Sequence, residues 1–337
     1  MTPVAPHQTG PSAWVTADMA DPSVWSWTLT DEQVDEVRRA VEATGASTVD
    51  DLRGMTTADF PLPTLGPHLS RMARGLITGR GFELVRGLPV REMGELAAST
   101  AFVGIGAHLG SARSQNAAGD LLGHVRNVGA DAQDPNVRIY QTDRRQTFHT
   151  DSTDVVGLLC LETAAEGGDS LLVSAASIYN RMLDECPDLA ALLFDQIATD
   201  RRGEVPAGEE PFFRIPVLSW FDDRLTVIYQ RQYINSADRF DAAPRRTPEV
   251  DAVLDRFDDI ANDATMHIRM TLEPGDMQFV HNHSLLHDRT SFVDKPDAPR
   301  HMLRLWLSMP GDRELPEIFA TRYGSVTVGD RGGIVVE

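Results

Sequence analysis

The sequence predicts an α+β fold, in which a jelly-roll (double-stranded β-helix) core of antiparallel strands is flanked by helices. Helical patterns dominate the N-terminal part of the chain, whereas short apolar or alternating runs separated by turn residues dominate from residue 148 onward. Helices followed by many strands favour one α+β domain built on a β-sandwich. We expect an N-terminal helical segment at residues 1–80, packed on a jelly-roll domain at residues 81–337.

The helices are predicted from capping signals and apolar spacing. In "LTDEQVDEVRRAVEATG", Thr30 and Gln33 have the spacing of a capping box, and Gly45 marks the end of the helix. Val34, Val37 and Val41 form its apolar stripe. Further helices are expected over 65–78, 92–109 and 248–264, with two short ones within 175–198.

The strands are predicted from apolar runs and from alternation. "DVVGLLCLET" is a nearly continuous apolar run, which is typical of a strand that is buried on both faces. "MHIRMTLEPGDMQFVHN" has two alternating runs around a Pro-Gly turn and predicts a hairpin. Other strands are expected at 81–90, 121–128, 137–142, 224–234 and 300–308.

Charge and composition restrict the function. The net charge of −19 argues against nucleic acid and anionic membranes as partners, because both require a basic face. Cys160 and Cys186 fit no disulfide framework or zinc spacing, so a reducing, cytoplasmic location is expected. The sequence shows neither a signal-peptide pattern nor an apolar run long enough to cross a membrane. A small molecule is therefore the expected binding partner. A homo-oligomer is also possible.

The stretch "FHTDSTD" places a histidine and a carboxylate two residues apart, just before the apolar run. In a strand, His149 and Asp151 would project to the same face. An imidazole and a carboxylate are ligands that divalent metals such as Fe(II) accept. The pair alone is also compatible with an ordinary polar turn, because Asp and Ser often cap backbone amides.

A second group of histidines lies in "FVHNHSLLHDRTSF". One of His281, His283 and His287 could complete a triad of two histidines and one carboxylate. Alternatively, His281 and His283 could form a same-face strand pair, or His283 and His287 a helical pair. Either arrangement would suit a cupin-like or zinc site that does not use His149 or Asp151.

The strand "RHMLRLWLS" favours the first of these interpretations. Arg300, Met302, Arg304 and Trp306 share one face of this strand, and arginines on such an apolar strand are costly unless each binds an anion. An anion-binding arginine therefore indicates a carboxylate-bearing molecule close to the metal.

Together these motifs resemble the taurine dioxygenase-like (TauD/TfdA) family, which includes clavaminate synthase-like enzymes. The order H-x-D, "GGDS", then H-x-R-T-x-F and R-x₃-R carries the resemblance over residues 81–308. It implies an Fe(II)- and 2-oxoglutarate-dependent dioxygenase that consumes O₂ and releases succinate and CO₂. It also implies that His149, Asp151 and His287 are the iron ligands.

The resemblance further implies roles for residues around the iron. Ser170 stands where the family has a threonine that contacts 2-oxoglutarate, and Arg300 matches the arginine that binds its far carboxylate. Arg304 matches an arginine that binds the carboxylate of the substrate, so an amino acid or a related small carboxylate is expected. Because Asp151 is present, hydroxylation, desaturation or cyclisation is expected rather than halogenation. No side chain is assigned as a general base.

Some neighbours of these motifs are candidate substrate contacts. These are Tyr140, Gln141 and Asn282, with Thr142 and Gln278 as further pocket-lining candidates; each is equally compatible with an ordinary polar position in a strand. The alternative function is a non-oxidative cupin-type isomerase or sensor that binds its metal through His281, His283 and His287.

Overall fold

The structure is a computed structural model that describes residues 5–131 and 137–334. Helices and strands alternate over the first third of the described chain, and strands dominate afterwards. The helices are α1 (Asp31–Thr44), α2 (Gly66–Thr78), α3 (Val90–Met93), α4 (Glu95–Ala107), α5 (Ala175–Glu185), α6 (Pro187–Ala190), α7 (Arg231–Ser236), α8 (Pro248–Asn262) and α9 (Ala320–Tyr323).

The strands form two main sheets and three small two-stranded ones. They are β1 (Ser26–Thr28), β2 (Phe82–Arg86), β3 (Ser111–Arg113), β4 (Leu122–Val125), β5 (Gln146–His149), β6 (Val155–Glu162), β7 (Glu166–Gly167), β8 (Ser170–Ser174), β9 (Gln196–Asp200), β10 (Phe212–Pro216), β11 (Leu218–Phe221), β12 (Arg224–Val227), β13 (His267–Met270), β14 (Met277–His281), β15 (Leu285–Arg289), β16 (Phe292–Val293) and β17 (His301–Ser308).

The larger sheet has the order β1-β2-β14-β6-β17-β3, with β4 also paired to β17. The smaller main sheet has the order β13-β8-β15-β5. The strand β1 runs parallel to β2, and the other pairs of both main sheets are antiparallel. The described residues thus have an α+β fold, as the sequence predicts.

The side chains of the central strand β17 face two different cores. Along β17, Leu303, Leu305 and Leu307 enter a core that is shared with the helices. Met302 and Trp306 face the opposite way, into a core with residues of the smaller main sheet. Arg304 of β17 alternates with the leucines and lies on this second side, and Arg300 directly precedes the strand; both line a pocket with residues of the smaller main sheet. The predicted facing of β17 is confirmed.

The cap of α1 also matches the prediction. Thr30 accepts a hydrogen bond from the backbone N–H of Gln33, and Gly45 ends the helix in the left-handed conformation with φ of 61°. Its buried face differs from the predicted stripe, because Val37 is buried whereas Val34 and Val41 are only partly buried.

Helix α1 also buries a carboxylate. Glu36 accepts hydrogen bonds from the backbone N–H groups of Thr64 and Leu65, at 2.8 and 2.9 Å. These two bonds connect α1 to the loop before α2.

The predicted hairpin around the Pro-Gly turn is wrong. The strand β13 pairs with β8 in the smaller sheet, whereas β14 pairs with β2 and β6 in the larger one. Gly275 of the turn donates a backbone hydrogen bond to Cys160 of β6 at 2.9 Å, so the turn is anchored to β6 and connects the two sheets. Alternation predicted both strands correctly but does not determine their partners.

Two other strand predictions are corrected. Within 137–142, the chain forms a 3₁₀ helix at Ile139–Gln141, and Thr142 donates its hydroxyl proton back to the carbonyl of Ile139 at 2.8 Å. Within 224–234, the strand β12 ends at Val227 and the helix α7 begins four residues later. In both segments a local turn overrides the alternating pattern.

The N-terminal segment packs against the larger sheet through its aromatic side chains. The rings of Trp14 and Trp25 lie 5.5 and 5.8 Å from the ring of Phe82. Trp14 also donates its indole N–H to the carbonyl of Arg80 at 2.9 Å. Among the described helices, none is long and apolar enough to cross a membrane.

Candidate metal centre

Strand register brings three ligand-type side chains together. The strands β5 and β15 are antiparallel neighbours, and His149 lies opposite His287. Their ring centroids are 4.1 Å apart. Asp151 follows in the turn after β5, and its Oδ2 lies 3.8 Å from His287 Nε2. Ligand atoms of all three residues lie within 4.8 Å of one another, close enough to bind one metal ion.

The turn, rather than strand alternation, sets the position of Asp151. The strand β5 ends at His149, so the same-strand argument for the H-x-D pair is wrong in detail. The backbone N–H of Asp151 donates to Oδ1 of Asn282 at 3.0 Å. The indole N–H of Trp306 donates to the Asp151 carboxylate, also at 3.0 Å. These two contacts aim the carboxylate at the histidines.

The protonation states of the triad suit metal binding. Burial, together with the neighbouring His149, lowers the pKa of His287 to about 3. Burial also lowers the pKa of His149. For Asp151, burial acts to raise the pKa, but Arg304 and the two histidines outweigh it and hold the pKa at about 2. Near neutral pH, two neutral imidazoles and one carboxylate therefore face one another.

The orientation of His149 leaves one ring nitrogen for a metal. Its Nδ1 lies 2.8 Å from the backbone carbonyl of Thr147, which fixes the proton on that nitrogen. The lone pair is then on Nε2, where the Gln146 side-chain amide lies at 2.8 Å. The donor set and its tautomer fit a divalent metal ion such as Fe(II).

A pocket on one side of the triad contains the predicted 2-oxoglutarate residues. His149, His287, Ser170 and Arg300 all line it. Arg300 is 3% exposed, and its Nη1 has no hydrogen-bond partner among the described residues. Burial lowers its pKa to about 10, so it remains charged near neutral pH. A buried guanidinium with a free donor is a ready site for a carboxylate.

Ser170 and Arg300 occupy this pocket with different partners. The Ser170 hydroxyl donates to Gln278 Oε1 at 3.0 Å. Arg300 lies over the ring of Phe292, with its CZ atom 5.1 Å from the ring centroid. The predicted pocket-lining candidate Gln278 thus lies beside Ser170.

Arg289 is a pocket residue that the sequence did not single out as functional. It lies two residues after His287 on β15 and lines the same pocket. Its Nε is buried without a partner, and burial together with the nearby Arg300 lowers its pKa to about 9. The sequence signal that could have identified Arg289 is the strand period of two, since residues i and i+2 share a face and Arg289 is two residues after His287.

A second pocket adjoins the first. Asp151, Arg304 and Tyr140 line both pockets, whereas residues of the β9–β10 hairpin line only the second. Arg304 donates from Nε to Gln115 Oε1 at 2.7 Å, and its Nη1 lies 3.5 Å from Asp151 Oδ1. The guanidinium is held between Tyr140 and Trp306, 4.7 and 4.8 Å from the two ring centroids. Its Nη2 has no described partner.

The remaining predicted substrate contacts lie elsewhere. Gln141 and Asn282 line neither of the two pockets. Asn282 is fully buried beneath the turn after β5 that carries Asp151, here called the metal turn, and it accepts a hydrogen bond from the backbone N–H of Asp151. Thr142 is also buried, and its carbonyl accepts a hydrogen bond from Arg289 Nη1 at 3.1 Å. The structure therefore gives Asn282 a supporting position rather than a lining one.

His281 and His283 belong to a separate buried network. His281 Nε2 lies 3.0 Å from the Asp312 carboxylate, and His283 Nε2 lies 2.8 Å from Asp154 Oδ1. Arg331 bridges both carboxylates, at 2.7 Å from Asp154 and 3.3 Å from Asp312.

Asp154, His283 and Asp312 have metal-ligand spacing, but the Arg331 guanidinium already supplies the cation between the carboxylates. His287 contacts the first triad instead. The cupin-type combination of His281, His283 and His287 finds no support in this arrangement.

Comparison with known proteins identifies the family. The profile of the family described as "Taurine catabolism dioxygenase TauD, TfdA family" matches residues 44–306. The chain is 34% identical over 330 residues to FR-33289 synthase of Streptomyces rubellomurinus, covering 94% of this chain and 95% of that protein. It is 30% identical over 258 residues to the taurine hydroxylase-like protein SAT17 of Stachybotrys chartarum, covering 73% and 66% respectively.

Solved structures support the same fold. An asparagine oxygenase in complex with Fe(II), 2S,3S-3-hydroxyasparagine and succinate aligns with a TM-score of 0.64 and 20% identity. The alignment covers 84% of this chain and 93% of the oxygenase. The predicted resemblance to Fe(II)- and 2-oxoglutarate-dependent dioxygenases is confirmed at the level of the family. The chain belongs to the taurine dioxygenase-like (TauD/TfdA) family.

Proposed function

We propose that this enzyme uses Fe(II), 2-oxoglutarate and O₂ to oxidise a C–H bond of a small anionic substrate. One observation carries the proposal: the His149, Asp151 and His287 triad lines a pocket that contains Arg300, Asp151 also lines an adjoining pocket with Arg304, and each of these two buried arginines has an unpartnered donor. One of these arginines, Arg300, serves the cosubstrate, and the other, Arg304, serves the substrate.

The triad would hold the iron. Two imidazoles and one carboxylate leave three positions of an octahedral ion open, which a bidentate cosubstrate and O₂ can use. The bound iron supplies the oxidising chemistry, with succinate and CO₂ as coproducts. The chain itself supplies orientation, through Trp306 and Asn282 on Asp151, and a buried environment.

Arg300 and Ser170 would bind the far carboxylate of 2-oxoglutarate. A charge-assisted hydrogen bond from a buried guanidinium is stronger than a neutral one, and it would satisfy the free Nη1 of Arg300. Ser170 can offer its hydroxyl from the neighbouring strand β8. Arg289 adds positive charge to the same pocket and favours a dianionic cosubstrate.

Arg304 and Tyr140 would bind the substrate in the adjoining pocket. The carboxylate that the sequence predicts would accept a hydrogen bond from the free Nη2 of Arg304. Hydroxylation is the expected outcome, with desaturation or cyclisation as alternatives. Amino acids are the first substrates to test, since the asparagine oxygenase of similar fold was solved with a hydroxylated amino acid.

Other predictions belong with this proposal. We propose that the two main sheets form the double-stranded β-helix, and that residues 1–80 are an N-terminal segment on that core. Residues 1–4 of the N-terminal segment and residues 335–337 of the core segment lie outside the described residues. The homo-oligomer and the cytoplasmic location stay predictions.

Anaerobic titration with Fe(II) and 2-oxoglutarate tests the metal assignment. The protein should give a weak visible charge-transfer band, and His149→Ala or Asp151→Ala should abolish it. The control His124→Ala changes a histidine of the His124–His301 pair, outside both pockets, and should retain the band. If His281→Ala abolishes the band and His149→Ala does not, the cupin-type assignment is correct instead.

A screen for succinate release tests the reaction. Amino acids and related small carboxylates are added to the iron-loaded enzyme with 2-oxoglutarate and O₂, and succinate is measured. The expected result is substrate-stimulated succinate release that Arg304→Gln reduces. A protein that binds iron and 2-oxoglutarate but releases no succinate with any substrate would be an inactive scaffold.

A further inference from the structure

Three arginines from distant parts of the chain line the substrate-side pocket. These are Arg138, Arg304 and Arg322. Gln115 connects two of them: its backbone carbonyl accepts from Arg138 Nη1 at 3.1 Å, and its side-chain oxygen accepts from Arg304 Nε at 2.7 Å. The Glu204 carboxylate connects Arg138 to the third arginine, Arg322, through an ion pair with each. The guanidiniums therefore form one continuous row.

Arg322 brings this row close to the metal turn. Its Nε donates to the hydroxyl of Ser152 at 2.7 Å, and Ser152 follows Asp151 directly in the chain. The side chain of Arg322 is only 8% exposed, and its Glu204 partner lies 4.0 Å away. Burial lowers the pKa of Arg322; Glu204 opposes this effect and the neighbouring Arg138 adds to it, so the charged Arg322 is disfavoured when no further anion is bound.

The charges of the pocket do not balance without a ligand. Three guanidiniums face two carboxylates within contact distance, those of Glu204 and Asp151. Because the proposed metal takes Asp151 as a ligand, Glu204 alone remains to compensate the row. Two positive charges are then left over in a buried site, where unpaired charges are costly.

The pocket also has an apolar lining beside the arginine row. It consists of Phe213 and Ile215 of β10 with Val217, Ile228 and Ile234. The guanidinium of Arg322 lies 5.6 Å from the centroid of the Phe213 ring. A molecule with an anionic end on the arginine row would therefore place a short hydrocarbon portion along this lining. Such a portion supplies the C–H bond that the proposed reaction needs.

We propose that Arg138, Arg304 and Arg322 form one subsite for a dianionic –PO₃ group, so that the substrate is an organophosphonate or a phosphate monoester. This inference rests on the proposed function and refines the carboxylate that the sequence predicts. A phosphate monoester carries about 1.5 to 2 negative charges near neutral pH, a phosphonate reaches two as its second proton dissociates, and both present three acceptor oxygens, whereas a carboxylate carries one charge and two oxygens. Of these groups, the phosphoryl group is the better match for two surplus charges on three guanidiniums.

Binding of simple probes to the anaerobic enzyme with Fe(II) and 2-oxoglutarate tests the subsite. Propylphosphonate, propyl phosphate and butyrate share a three-carbon chain and differ in the anionic group. We expect both phosphoryl probes to bind at least tenfold more tightly than butyrate in calorimetry. A preference between the two phosphoryl probes identifies the source and also supports the subsite. Equal binding of all three probes would overturn it.

Variants localise the effect. Arg322→Gln and Arg138→Gln should each reduce the phosphoryl preference about tenfold or more, whereas Arg322→Lys should keep part of it. Arg214→Gln is the matched control, because Arg214 lies between Phe213 and Ile215 on β10 but is exposed on the other face. The 2-oxoglutarate charge-transfer band reports on folding of each variant. Unchanged phosphonate affinity in a folded Arg322→Gln protein would refute the subsite.

The pH dependence separates the dianion from a monoanion. The affinity for propylphosphonate should rise between pH 6 and pH 8 as its second proton dissociates, whereas the affinity for butyrate should not follow this course. Failure of this experiment alone leaves the charge-transfer band intact and removes only the subsite. Loss of the band in the unmodified enzyme would instead remove the proposed function.

Discussion

Asn282 accepts a hydrogen bond from the backbone N–H of Asp151 at 3.0 Å and is fully buried beneath the metal turn. Asp151 is therefore fixed from outside the triad at two points, its backbone and its carboxylate, since Trp306 donates to the carboxylate. Asn282 therefore acts on the metal ligand through the backbone. It is a positioning residue, although the sequence suggested a substrate contact.

Replacing Asn282 should weaken metal binding without removing a ligand. In Asn282→Ala the N–H of Asp151 is left unpaired in a buried site, and we expect Fe(II) affinity to fall about tenfold, the order typical of outer-sphere changes. A chelator competition with Fe(II) measures this. Asn282→Asp keeps an acceptor oxygen and should retain more affinity than the alanine variant. Wild-type affinity in Asn282→Ala would show that the contact has no positioning role.

Loss of the Arg300 guanidinium should weaken 2-oxoglutarate binding selectively. Arg300→Gln removes the buried charge, and we expect at least a tenfold rise in the 2-oxoglutarate concentration that gives half of the charge-transfer band. Arg300→Lys should recover part of the affinity, because an amine supplies charge without the planar fork. The control Arg269→Gln alters a side chain that is 61% exposed and should titrate like the wild type. A wild-type titration of Arg300→Gln would contradict the assigned role.

The parts of the site that were predictable are encoded locally. His149 and Asp151 are two residues apart, and the facing of Arg300 and Arg304 follows from strand period. Pairing of β5 with β15 then brings in His287, which the sequence could propose only through resemblance to a family. The turn that holds Asp151 was not predictable, because its anchor Asn282 lies on a distant segment.

The unpredicted residues share a long-range origin. Arg138 lies in a segment that alternates like a strand and directly precedes the 3₁₀ helix Ile139–Gln141, and Arg322 lies in the short helix α9. Neither belongs to a motif, and both reach the pocket only through tertiary packing. The hairpin predicted around the Pro-Gly turn is wrong for the same reason: Gly275 of the turn donates a hydrogen bond to β6, a contact that the local sequence does not specify.

Removal of Arg331 should destabilise the fold more than removal of a surface arginine. Arg331 is buried between Asp154 and Asp312, and Arg331→Met would leave two buried carboxylates without their shared cation. We expect a loss of about 3–5 kcal/mol in the free energy of unfolding, measured with urea. Arg256→Met removes the exposed pair with Glu185 and should cost less than about 1 kcal/mol. Equal effects of the two substitutions would show that the buried network adds no specific stability.

The stability of the metal-free protein should decrease as the pH falls from about 6.5 to about 4. Burial, partly opposed by Asp154, lowers the pKa of His283 to about 4, so the folded state stays neutral at pH values where the unfolded histidine, with its ordinary pKa of 6.5, is protonated. The unfolded state then binds more protons than the folded state, and stability rises with pH across this window by up to about 1.4 kcal/mol per pH unit for one such histidine. Urea unfolding at several pH values measures the slope. His149 and His287 act in the same direction, so His283→Gln should flatten the slope without abolishing it. A slope that His283→Gln does not alter would show that His283 remains unprotonated in both states or titrates alike in both.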